Sequence, residues 1–208
     1  MPSPTRVLIV DDHFFTCIGL TAVLNLEPDI DVVAQAACGS EGISLYTQHE
    51  PDVALIDGCL PDMHGIDVAR AIRQRFADAH LLMFSVDETE EDIHRAVEAG
   101  VSGYVPKSTP RPELLVALRA IAAGRRYFPQ RVKEKLHERR CHVSLSPREL
   151  EVLSGIASGH PNKIIAVNLN VSAETVKGHV ANILEKLGAD DRTQAVVTAM
   201  ERGLLKRG

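Results

Sequence analysis

The chain has only four cysteines in 208 residues. Cys17, Cys38, Cys59 and Cys141 are scattered and form no Cys-x-x-Cys pair. That spacing argues against a disulfide framework or a zinc site and fits reduced thiols of a cytosolic protein. No apolar run approaches the length needed to cross a bilayer. The N-terminus lacks a basic segment followed by an apolar one, so no signal peptide is expected. The expected setting is cytoplasmic, with no membrane partner.

The hydrophobic and charged fractions, 45% and 25%, are those of an ordinary globular protein, and the length allows two domains that each bury a core. The formal net charge of −5 hides an asymmetry. Residues 1–124 carry a net −11, residues 125–140 a net +5 and residues 141–208 a net +1. An acidic module, a basic connector and a near-neutral module follow one another. The expected divisions are 1–124, 125–143 and 144–208.

The informative stretch of the first module runs from Val53 to Gly65. Val53, Ala54, Leu55 and Ile56 are a short apolar run, as in a strand buried on both faces. It stops at Asp57, and Gly58, Pro61 and Gly65 punctuate a loop. Taken alone, Asp57 could simply cap the next segment.

Its context makes it more interesting. Strands are expected over Arg6–Val10, Val32–Ala37, Val53–Asp57, Leu81–Phe84 and Gly103–Pro106. Helices are expected between them and from Pro112 to Ala123, with one beginning at Glu88. This alternation predicts a five-stranded doubly wound parallel sheet, order 2-1-3-4-5. The carboxyl ends of its strands then share one edge, where Asp11, Asp12, Asp57, Ser85 and Lys107 converge. Clustered carboxylates repel, and a hard divalent cation such as Mg²⁺ relieves that. A metal beside Asp57, with a hydroxyl and an ammonium to receive phosphoryl oxygens, suits phosphoryl transfer to a carboxylate.

Residues 5–124 resemble a response-regulator receiver domain. The acid pair of that family matches Asp11 and Asp12, its phospho-acceptor Asp57, its switch hydroxyl Ser85, its switch aromatic Tyr104 and its lysine Lys107. Leu60 stands where the family motif has Met. The resemblance implies Mg²⁺ on Asp12, Asp57 and the backbone carbonyl of Cys59, with Asp11 acting through water. Tyr104 could equally be a half-buried strand aromatic. His13 and His64 flank the acids and are expected as surface loop residues, because imidazole is not a ligand that Mg²⁺ selects. Cys59 is expected as an ordinary loop residue. Whether the bond after Lys107 is cis cannot be read from the sequence.

From Arg125 to Val143 the apolar periodicity fails and basic residues dominate, with Val132 and Leu136 supporting a helical turn or two. This is either a solvated linker or a basic strip facing DNA phosphates or the acidic module.

The second module opens with Ser146-Pro147-Arg148-Glu149, which has the cap, the N1 proline and the N3 acid of a helix start. A short helix over Asn162–Leu169, a turn at Asn170-Val171 and a longer helix capped by Ser172 follow. In the longer helix Val176, Val180, Ile183, Leu184 and Leu187 form one apolar stripe that Gly188 ends, and a fourth helix spans Arg192–Arg202. Short helix, tight turn and longer helix make the helix-turn-helix arrangement, here within a four-helix all-α domain. A small bundle with a solvated face has the same pattern. The motifs tip the balance, because residues 145–205 resemble the LuxR/FixJ output domain in Asn162-Lys163, Ile165-Ala166, Thr175-Val176-Lys177, His179-Val180 and Lys186-Leu187-Gly188. The candidate DNA-facing residues are Asn162, Lys163, Thr175, Lys177, Gly178, His179, Ala181, Asn182 and Lys186. Two departures stand out: Pro161 where a capping Ser is common, and Ile164 where Glu is usual.

The order of the modules resembles a two-component response regulator of the LuxR/FixJ (NarL-like) type. That implies a sensor histidine kinase as phosphodonor, double-stranded DNA as target, a homodimer when phosphorylated and no enzymatic turnover of an external substrate. Two rivals remain open: a phosphohydrolase using Asp57 as nucleophile, and a regulator that binds DNA constitutively with its receiver used for dimerisation.

Overall fold

Burial on both faces accounts for the first module. In the computed structural model, which describes residues 3–86, 89–141 and 144–205, the strands are Thr5–Val10 (β1), Ile30–Ala36 (β2), Val53–Asp57 (β3), Leu81–Ser85 (β4) and Gly103–Pro106 (β5). Every residue of β3, β4 and β5 is buried. Continuous apolar runs of this kind require cover on both sides of a sheet. The helices Phe14–Leu24 (α1), Gly39–His49 (α2), Gly65–Arg75 (α3), Glu90–Glu98 (α4) and Arg111–Ala122 (α5) supply it. The sheet is parallel throughout, in the order β2-β1-β3-β4-β5. One core packs Val7, Ile9, Val53, Leu55, Leu82, Phe84 and Val105 against Leu20 and Leu24 of α1 and Leu114, Leu118 and Ile121 of α5. The expected fold and strand order are those observed.

The order 2-1-3-4-5 places a topological switch point between β1 and β3. Adjacent register pairs Val10 with Ile56, so the next residues, Asp11 just past β1 and Asp57 at the end of β3, lie side by side. Asp57 in turn pairs with Phe84, and Ser85 with Pro106, immediately before Lys107.

The connector departs from the expected turn or two. Gln130–Cys141 is a twelve-residue helix (α6), in which Val132 is fully buried. A sequence so rich in Arg and Lys has little apolar periodicity, and one buried anchor is enough to hold the helix. The chain divides into two compact units within α6, between Glu134 and Lys135. Glu88 and Val143, the expected start of a helix and end of the connector, lie outside the described residues, as do the side chains of residues 138–141.

The second unit contains Pro147–Ala157 (α7), Asn162–Leu169 (α8), Ala173–Leu187 (α9) and Arg192–Glu201 (α10). The start of α7 is a full capping box: Ser146 Oγ accepts from the Glu149 N–H, and the Glu149 carboxylate accepts from the Ser146 N–H at 2.7 Å. Asn170, left-handed at φ 52°, ends α8 and turns the chain into α9, where Ser172 accepts from the Thr175 N–H at 3.0 Å. Val152, Leu153, Ile156, Ile165, Val176, Ile183, Leu187, Ala195 and Ala199 form its core. Pro161 at the start of α8 makes no side-chain cap, as the sequence implies. Among the described residues no helix is long and apolar enough to cross a membrane.

Candidate functional site

The strand ends of the first unit meet in an acidic pocket. Asp57 closes β3 with its side chain 3% exposed, and Asp11 follows β1 with its side chain 2% exposed. Lys107 Nζ, just past β5, lies 2.8 Å from Asp57 Oδ2 and 2.8 Å from Asp11 Oδ2. The ammonium donates a hydrogen bond to Asp57. Its approach to Asp11 is a charge contact without hydrogen-bond alignment, so the buried Asp11 Oδ2 keeps an unsatisfied lone pair. Asp57 Oδ1 accepts from the Cys59 N–H at 3.3 Å, the start of the loop that leaves the site.

That loop is tightly drawn. The Gly65 N–H donates to the Gly58 carbonyl at 3.0 Å. A Cβ on Gly65 would run into the backbone carbonyl of Asp57, and one on Gly58 would sit 2.5 Å from Ser85 Oγ. Backbone here must therefore pass closer to its neighbours than any side chain allows. The same geometry places the Ser85 hydroxyl against the acceptor loop. Asp62 anchors the far side, where its carboxylate accepts from the N–H groups of Gly39 at 2.7 Å and Ser40 at 2.9 Å. These bonds at the positive N-terminus of α2 hold the Asp62 carboxyl down at about 2. Nothing in the local sequence signals this contact, which spans more than twenty residues.

Burial raises the Asp57 carboxyl above its ordinary value, while the hydrogen bond and charge of Lys107 pull against that shift. Burial alone would lower Lys107, but its contacts with Asp11 and Asp57 outweigh burial and raise it. The ammonium is therefore firmly charged, yet one cation faces three carboxylates.

His13 completes the cluster. Its Nδ1 stands 2.9 Å from Asp12, 3.3 Å from Asp11 and 3.8 Å from Asp57. The expected surface position is correct, since the ring is 65% exposed, but the ring turns inward to the acids. The His13 N–H, donating to Asp11 Oδ1 at 2.9 Å, sets that turn. Ligand atoms of Asp11, Asp12, His13 and Asp57 all lie within 4.8 Å of one another. Hard oxygens, excess negative charge and an unsatisfied buried carboxylate oxygen fit a divalent cation. His64 stands at the N-cap position of α3 without a side-chain cap, and Tyr104 is buried on β5, beside Met83 of β4.

In the second unit, α9 exposes Thr175, Lys177, Gly178, Ala181 and Asn182 opposite its buried stripe, with His179 half-buried. Lys163 is exposed and Asn162 half-buried at the start of α8. Lys186 is placed differently from the rest. By position it groups with the outward residues, but its Nζ donates to both oxygens of buried Glu149, at 2.9 and 2.7 Å. A buried carboxylate in the first turn of α7 needs a cation, and Lys186 supplies it. Ile164 is exposed, as its departure from the family pattern suggests.

This is the construction of a receiver joined to a helix-turn-helix output domain. Residues 7–119 match the response regulator receiver domain, and residues 143–199 match the bacterial regulatory proteins of the luxR family. The chain belongs to the two-component response regulators of the LuxR/NarL type, which are DNA-binding transcriptional regulators. It is 36% identical over 208 residues to the transcriptional regulatory protein LiaR of Bacillus subtilis (strain 168), covering 96% of this chain and 99% of that one. It is 34% identical over 206 residues to the response regulator protein VraR of Staphylococcus aureus (strain Mu3 / ATCC 700698), covering 97% and 99%. Among solved structures it resembles the response regulator ChrA of a heme-sensing two-component system, with 36% identity, a TM-score of 0.59 and coverage of 98% of this chain and all of that one.

Proposed function

We propose that Asp57 takes a phosphoryl group from a sensor histidine kinase in the cytoplasm and that this controls DNA binding by the second module. Residues 1–124 then form the phospho-acceptor domain, 125–143 the basic connector and 144–208 the DNA-binding domain. One observation carries this reading: a buried carboxylate under tension, with Lys107 2.8 Å from it and from Asp11 and more negative charge around it than one ammonium neutralises.

In the transfer, the bond from phosphorus to the kinase's histidine nitrogen breaks and a bond from phosphorus to an Asp57 carboxylate oxygen forms. Asp11, Asp12, Asp57 and the Cys59 carbonyl would hold Mg²⁺, which supplies charge neutralisation for the phosphoryl oxygens. Asp57 is the nucleophile; burial raises its affinity for a proton, and a cation beside it would offset the lost solvation of the carboxylate. Lys107 follows the charge to a phosphoryl oxygen, and the Ser85 hydroxyl donates to another. Moving Ser85 and Lys107 strains β4 and β5 and biases buried Tyr104, shifting a population between two states. The phosphoryl group acts on the chain itself, with no external substrate turned over.

On the DNA side, Thr175, Lys177, Gly178, His179, Ala181 and Asn182 of α9 would enter the major groove, with Asn162 and Lys163 on phosphates. Gly178 supports a close approach, because a Cβ there would meet nothing within 4 Å and the fold itself does not require the bare backbone. Lys186 serves this surface indirectly, through Glu149. Two copies would engage paired half-sites.

The experiment is DNA binding on genomic fragments, with and without Mg²⁺ and a small phosphodonor, for wild type and Asp57→Ala. Phosphodonor-dependent binding that Asp57→Ala loses is the expected outcome. Equal binding in every arm overturns the phospho-switch and establishes constitutive binding.

A further inference from the structure

His13 occupies the N-cap position of α1, Phe14–Leu24, but its side chain makes no cap hydrogen bond. Ser, Thr, Asp and Asn are the residues that serve a helix start. Local structure therefore gives no reason for an imidazole here, and the ring turns to the acids instead. Nδ1 lies 2.9 Å from Asp12 Oδ1, 3.3 Å from Asp11 Oδ1 and 3.8 Å from Asp57 Oδ2. A ring nitrogen has one proton or one lone pair to offer, yet three carboxylates crowd about this one. Asp11 Oδ1 already accepts from the His13 backbone N–H.

The spacing suits a shared ion. Donor atoms about 2.1 Å from an octahedral cation stand about 3 Å apart at adjacent corners and about 4.2 Å apart at opposite ones. The distances from Nδ1 to its nearest oxygens, 2.9, 3.3 and 3.8 Å, are of this size. A second observation is independent of the ring. Asp11 Oδ2, in a side chain 2% exposed, has no hydrogen-bond partner. Lys107 therefore does not complete the pocket.

The donor set selects the kind of cation. Mg²⁺ prefers oxygen, keeps several waters and gains little from an imidazole. First-row transition-metal ions accept carboxylate oxygens as well, and from Fe²⁺ to Zn²⁺ an imidazole suits them. We infer that His13 Nδ1 is a ligand of the cation in the acidic pocket, beside Asp12 and Asp57. It thereby tilts the pocket from Mg²⁺ towards a first-row transition-metal ion. The ring is 65% exposed, so it closes on an ion without repacking the core. This rests on the cation of the proposed function and names its class.

The test loads the full chain with one equivalent of Co²⁺ alone. X-ray absorption reads a directly bound imidazole through the outer-shell scattering of its ring. The expected spectrum of wild type contains that ring, and His13→Phe, which keeps the bulk without the donor, loses it. By titration calorimetry, His13→Phe should weaken Co²⁺ about tenfold or more and Mg²⁺ far less. His13→Gln should show the same loss, and metal-free melting temperatures report that both variants are folded. The wild-type spectrum decides without any variant: Co²⁺ bound with no imidazole, or not bound at all, overturns the proposal. So does a ring signal that survives His13→Phe, since it comes from another histidine. If the imidazole is only a counter-charge to the acids, its removal should tighten Co²⁺ and Mg²⁺ alike, which also overturns the proposal. Intact mass after incubation with Mg²⁺ and acetyl phosphate reads the phospho-switch separately. Co²⁺ bound through His13 on a chain that takes up no phosphoryl group supports the ligand and sinks only the switch.

Discussion

Two clusters of buried charge, one in each unit, show the difference between a site and a support. In the second unit, buried Glu149 accepts two bonds from Lys186 and one from the Ser146 N–H. Burial alone would raise its carboxyl, but these partners outweigh burial and lower it. In the first unit the balance is the other way. Asp57 shares one ammonium with Asp11, Asp12 lies nearby, and burial leaves the Asp57 carboxyl raised. The saturated pair stabilises the folded unit. The undersaturated cluster costs stability, and that cost makes it receptive to a cation, which in turn could offset the charge of an incoming phosphoryl group.

The largest break in this comparison comes from Asp57→Ala. It should abolish phosphoryl uptake, read by intact mass after incubation with acetyl phosphate and Mg²⁺. In the absence of metal it should also raise the melting temperature of the receiver, because a buried, poorly solvated carboxylate is removed. The opposite result is expected for Lys186→Met. With Glu149 left unpaired, the second unit should lose about 2–3 kcal/mol, less than for a fully enclosed pair because water can reach the exposed side of Lys186. Urea unfolding followed on that unit measures it, and an unchanged midpoint would show that the pair is not structural.

Acid should move the two clusters in opposite directions. Glu149 has a folded-state pKa below its ordinary 4.5, so its contribution is present above that value and is lost as the pH falls through the lowered one. Asp57 has a folded-state pKa above its ordinary 3.8, so its favourable contribution is present below that value and is lost as the pH rises through the raised one. Melting temperatures of wild type and Lys186→Met should therefore converge as the pH is lowered below about 4. Those of wild type and Asp57→Ala should converge over the same descent, from the other side. The smallest effect is expected for Ser146→Ala, which removes one cap from α7 but leaves Lys186 on Glu149. About 1 kcal/mol is expected in the same urea experiment.

Much of the architecture was legible because the signals are local. Apolar runs that end in Asp, Ser or Lys marked the strands, and the β3 run through Asp57 holds to the residue. Ser146, Pro147 and Glu149 announced α7, and the capping box is formed as those residues imply. Helix α6 was not legible beyond a turn or two, because a basic, weakly periodic segment carries no sign of where Val132 will be buried. Within the pocket, Asp11, Asp12, Asp57 and Lys107 could be assembled from strand order alone. The inward turn of His13 could not, since it depends on the backbone bond from His13 N to Asp11.

Local pattern along the chain was enough for the class of fold, the strand order and the edge on which the acids gather, because alternating buried strands and helices admit few topologies. How each charge is balanced emerged only on folding. Folding brought two carboxylates to Lys107, turned Lys186 inward to Glu149, and placed Asp62 on the N-terminus of α2. The physical reason is reach. Hydrophobic periodicity is written in neighbouring residues, whereas the partner of a buried charge is whichever opposite group folding brings within about 3 Å, often from a distant part of the chain.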